Sequence, residues 1–73
     1  METREEKFEG MLQAVLARYR DTVSKMDALK AAGKTKTVTF RQLMGDKLTY
    51  QNMLILYQLH GLIDGSWRTD GES

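Results

Sequence analysis

Between Glu6 and Lys30 the large side chains recur at Phe8, Leu12, Val15, Tyr19, Thr22, Met26 and Leu29, in alternating steps of four and three residues. A mean step of about 3.5 residues marks a helix laid along another helix, and Thr22 is the only polar member of the series. Met11, Leu16 and Val23 widen the stripe. The start is signalled by Thr3-Arg4-Glu5-Glu6, a capping box in which a threonine hydroxyl and a glutamate three residues on satisfy each other's amides. The stop is signalled by Ala31-Ala32-Gly33, with Gly33 free to take positive φ. The pattern predicts a first helix from about Arg4 to Ala32, with acidic residues in its opening turns and Lys25 and Lys30 toward its end, the sense that the helix dipole favours.

A second element comes after the turn GKTKTV, Gly33 to Val38. Thr39-Phe40-Arg41-Gln42 reads as another capping box, and Val38 with Leu43 as the hydrophobic staple around it, so a helix is expected from about Phe40 to His60. Gly45-Asp46, with Thr49 as a further candidate cap, leaves open a kink or a break. Gly61 is placed to end this helix, with Leu62 folding back toward Tyr57. The expected architecture is all-α: an antiparallel helical hairpin over residues 1–65 and a polar tail over 66–73 whose one anchor is Trp67.

The second helix contains the feature that bears on function. Met53-Leu54-Ile55-Leu56-Tyr57 is a run of five large apolar residues, and at about 100° per residue such a run circles the helix. Leu48, Ile55, Leu59 and Leu62 form one row, and Leu43, Tyr50, Leu54 and Tyr57 another. The first helix, with Phe8, Leu12, Val15, Tyr19 and Met26 along its seam, covers only one of them, and the spacing leaves open which. Burying a large apolar side chain is worth about 1.5–3 kcal/mol, so a second exposed row would forfeit more than the margin of a small domain. A partner is therefore expected, with the interface drawn from Tyr50, Met53, Leu54 and Tyr57, the two tyrosines as anchors. A second copy, giving a homodimeric four-helix bundle, is the first choice of partner. A larger target protein is the second, and a monomer whose tail carries Trp67 back over the row is the third.

Composition limits the other classes. The chain has 73 residues, no cysteine and one histidine, so neither a disulfide framework nor a thiolate metal site can staple a small core, and one domain is expected. The longest apolar run is far short of the roughly 20 residues that span a bilayer, and METREEKFEG is unlike a secretory signal. A cytoplasmic protein without membrane contact is the expectation. Catalysis is not expected: the serines are Ser24, Ser66 and Ser73, His60 has only Asp64 within a helical turn, and the glycines stand singly rather than in a phosphate loop. Glu5, Glu6 and Glu9 in the first turns read as dipole compensation rather than a cation site, and no cofactor is expected.

Charge keeps one rival open. The net charge of +1 is the sum of two acidic ends and a basic middle, where eight Lys and Arg between Arg18 and Lys47 face three Asp. Lys30, Lys34, Lys36, Arg41 and Lys47 are the candidate nucleic-acid contacts of a small regulator of helix-turn-helix or basic-helix type. The stretch LTYQNMLILYQLHGLID imitates a recognition helix and the GLI that ends it in winged helices, but it contains no Lys or Arg, and no alternating pattern for a β-wing comes after it.

The segments KFEGMLQAVLARY, MDALKAAGKTKT and FRQLMGDKLTYQNML resemble small uncharacterised helical proteins carried by conjugative elements and prophages of Firmicutes, over residues 7–63. The resemblance implies an accessory role in a mobile element: regulating transfer, binding an element-encoded protein, or inhibiting a host defence enzyme. It brings no catalytic or binding motif, so no residue role is carried over. On the sequence, Leu54→Asp should dissociate an assembly while Lys34→Ala leaves it intact, as read by light scattering.

Overall fold

The computed structural model describes residues 3–67 and shows two long helices joined by a short turn, α1 (Arg4–Ala31) and α2 (Val38–Leu59), then a single 3-10 turn at Gly65–Trp67. No strand occurs among the described residues, and none of their helices is long and apolar enough to cross a membrane. The Cα atoms extend over 46 × 27 × 15 Å. Two helices packed side by side make a single layer.

α1 forms as its sequence predicts. Thr3 Oγ1 accepts from the Glu6 amide at 3.0 Å, and Glu6 Oε1 accepts from the Thr3 amide at 2.8 Å, completing the capping box. The helix stops where Gly33 takes φ 71°: the Lys34 amide donates to the Leu29 carbonyl at 2.8 Å and the Gly33 amide to the Lys30 carbonyl at 3.0 Å. These are the two bonds of a Schellman motif, which satisfies the last orphan carbonyls. α2 ends the same way at Gly61, φ 75°, with Leu62 donating to Tyr57 at 2.9 Å and Gly61 to Gln58 at 3.0 Å. Two glycine stops thus set both helix lengths.

The start of α2 departs from expectation. The cap is Thr37, not Thr39: Thr37 Oγ1 accepts from the Phe40 amide at 3.1 Å, and the same hydroxyl donates to the Lys34 carbonyl at 3.1 Å. One side chain therefore closes the turn and opens the helix, which the Thr39 hydroxyl, two residues further on, does not do. Val38 becomes the first helical residue and is 78% exposed, so it forms no staple. α2 then runs unbroken through Gly45-Asp46. Thr49 is not a cap; its Oγ1 donates to the Gly45 carbonyl one turn back at 3.1 Å, as a threonine within a helix does.

The core lies between the helices. Leu12, Val15, Tyr19, Thr22 and Met26 of α1 are all buried, so the heptad series supplies that side of the seam, Thr22 included. Leu54 and Phe40 are the buried residues of α2, and Phe8 meets Tyr57 edge-to-face with ring centroids 5.4 Å apart. A residue near the start of α1 against one near the end of α2 fixes the antiparallel sense.

The glycines give opposite predictions. Gly33→Ala should destabilise the protein by about 1 kcal/mol, because an L side chain resists positive φ even with open space around it. Gly45→Ala, helical with nothing within 4 Å of the added methyl, should stabilise it by up to about 1 kcal/mol. Urea unfolding followed by circular dichroism measures both.

Candidate interaction surface

The row of α2 expected to face outward is the one that packs inward. Leu54 is 0% exposed and sits in the central cluster with Leu12, Val15, Tyr19 and Trp67. Tyr50, Met53 and Tyr57 are half-buried and pack against that cluster. Leu54 therefore offers no surface to a partner, and Tyr50, Met53 and Tyr57 offer only their outer edges. The physical reason is shape: Tyr57 reaches Phe8 across the seam, and Leu54 fills the space between Tyr19 and the other core side chains.

The residues left outside are those of the other row. Leu48 and Leu62 are each 52% exposed and Leu59 is 75% exposed, while Ile55 is half-buried. Met44 extends the row by one turn, and Leu56 is exposed beside it. On a helical wheel Met44, Leu48, Ile55 and Leu59 fall within about 60°. Gln51 and Asn52 lie on the two margins of this stripe at its midpoint. Between Leu48 and Ile63 there is no Asp, Glu, Lys or Arg. This is a long, uncharged apolar strip on one helix, open to solvent.

Trp67 sharpens the outline. It is 2% exposed and belongs to the central cluster, stacking edge-to-face on Tyr19 with ring centroids 5.5 Å apart. Its indole Nε1 donates to Gln58 Oε1 at 2.8 Å. The packed unit thus reaches at least Trp67, past the boundary expected at residue 65. The return is shaped by Asp64, whose Oδ1 accepts from the Ser66 amide at 2.9 Å and the Ser66 hydroxyl at 2.5 Å and so starts the 3-10 turn. The Ser66 hydroxyl and then its amide hold the Asp64 carboxyl below its ordinary pKa, so it is ionised at neutral pH. The turned-back segment contributes Ile63 and Trp67 to the core, yet leaves Leu48, Leu59 and Leu62 exposed. The remainder of the expected tail, from Arg68 on, lies outside the described residues.

The five basic candidates lie outside the packed seam. Lys30, Lys34, Lys36 and Arg41 are exposed around the turn between the helices, and Lys47 is half-buried further along α2. The GLI triplet is the end of α2 and its Schellman stop. Of the acidic residues in the first turns, Glu6 is committed to the Thr3 amide and Glu9 accepts from Gln13 at 3.1 Å. Among the described residues no three His, Cys, Asp or Glu converge as a metal site would require. No protein-family model, no curated protein and no solved structure matches the chain.

With Leu54 inside, its substitution reads differently. Leu54→Asp should unfold the hairpin rather than release a partner, since it places an unpaired carboxylate in the core. Trp67→Ala should cost about 3–5 kcal/mol, the range for a large buried aromatic. Chemical denaturation followed by circular dichroism distinguishes both from a surface change, which would leave the midpoint in place.

Proposed function

We propose that this protein is a non-catalytic interaction module that self-associates through the exposed strip of α2. The observation that supports this most is the row Met44, Leu48, Leu59 and Leu62, which the hairpin and its returning tail leave open to solvent. Four large apolar side chains at this exposure are worth several kcal/mol to any arrangement that covers them. A second copy is always present at the concentration of the first and brings the same uncharged surface, so nothing repels it. Two single-layer hairpins stacked in this way make a four-helix bundle, in which every apolar stripe has a facing stripe. An accessory, regulatory or inhibitory task in a mobile element rests on the sequence resemblance, and the strip supplies the surface through which such a task would be carried out.

Light scattering between about 5 and 500 μM should give twice the chain mass at the upper end. Leu59→Asp, at a site 75% exposed, should raise the dissociation constant at least ~100-fold while leaving the helical circular dichroism unchanged. A folded monomer throughout this range would overturn self-association. Loss of helicity in the variant would show that Leu59 belongs to the fold instead.

A further inference from the structure

The exposed strip is chemically symmetric about its own centre. Its members are Met44, Leu48, Gln51, Asn52, Ile55 and Leu59, and the steps between them are four, three, one, three and four. Read from either end the strip is apolar, apolar, amide, amide, apolar, apolar. Two antiparallel copies related by a two-fold axis between Gln51 and Asn52 would therefore match at every position. Leu48 would lie against Ile55 of the second copy and Met44 against its Leu59, while at the centre Gln51 would meet the Gln51 carboxamide of the second copy on one margin and Asn52 its Asn52 on the other, donor to acceptor. The helical wheel adds that Gln51 and Asn52 sit on opposite margins of the strip, and an antiparallel two-fold keeps each margin against the same margin of the second copy.

Resting on the self-association proposed above, the geometry points to one arrangement of the two copies: α2 against α2, antiparallel, centred between Gln51 and Asn52. The central amides set the register, since any shift by one turn leaves them facing apolar side chains with their hydrogen bonds unmade. Charge sets the direction. Arg41 lies on the same face one turn before Met44, is exposed, and has no carboxylate partner among the described residues. In a parallel pair the two Arg41 side chains would meet. In the antiparallel pair they lie at opposite ends of the contact, about 31 Å apart along the helix at 1.5 Å per residue. The two helix dipoles also oppose in this sense.

The absence of cysteine makes the arrangement testable by disulfide trapping in the full chain. A disulfide requires Cα atoms within about 7 Å. Asn52→Cys stands beside the axis and should cross-link to itself in high yield under mild oxidation. Met44→Cys and Leu59→Cys are each about 22 Å along the helix from their own copies, at 1.5 Å per residue, and should not self-link. Mixed together, those two should form a disulfide-linked pair. All three sites are exposed, and unchanged circular dichroism confirms that the variants fold.

Other outcomes separate the failures. Self-linking of both Met44→Cys and Leu59→Cys would mean parallel helices and overturn the arrangement while self-association stands. A dimer in light scattering that none of the variants traps would place the contact on another surface, with the same consequence. A monomer by light scattering, with no trapping, would remove self-association and this arrangement together.

Discussion

Everything in this structure depends on a geometric limit: one helix can cover only one side of another. α2 carries apolar side chains around most of its circumference, and α1 is the only other long helix among the described residues. Burial of Leu54 against Tyr19 and its neighbours satisfies one side. Among the described residues the opposite flank has nothing of comparable length to meet it. A single layer cannot enclose a helix that is apolar nearly all round, whereas most domains use two or more layers for that purpose.

The segment after α2 takes the chain part of the way toward a second layer. The Schellman stop at Gly61 turns the backbone, Asp64 caps one turn of 3-10 helix, and Trp67 is delivered onto Tyr19. The indole brings a large apolar surface and one donor, and Gln58 accepts that donor, so the Trp is buried without an orphaned N–H. This strap closes the groove over Tyr19. It leaves Leu48, Leu59 and Leu62 open, and that remaining surface supports an interaction role.

The helix boundaries show how local and tertiary signals divide the work. Thr3 with Glu6, Gly33 and Gly61 act through bonds within a few residues of themselves, and the structure uses each as the sequence suggests. For the start of α2 the sequence pattern points to Thr39, and the structure uses Thr37, two residues earlier. Thr37 prevails because its hydroxyl bonds both the Lys34 carbonyl and the Phe40 amide, closing the turn as it opens the helix. Gly45 was a credible break, yet an unbroken helix carries both Phe40 and Leu54 to the seam with α1. The roughly 1 kcal/mol disadvantage of a helical glycine is small against those buried side chains.

The sequence by itself determined the first helix, its seam from Leu12 to Met26, both glycine stops and the hairpin between them. These arise from spacing and from bonds made between near neighbours, which a linear pattern records directly. Which row of α2 faces inward was decided only by the tertiary structure. The rows Leu43, Tyr50, Leu54, Tyr57 and Leu48, Ile55, Leu59, Leu62 are similar in hydrophobicity, so periodicity carries no preference between them. The choice depends on shape across the seam: Phe8 meeting Tyr57 edge-to-face, Leu54 filling the space beside Tyr19, and Trp67 arriving from beyond the helix to complete that cluster. Such fits join residues far apart in the chain, and no pattern along it encodes them.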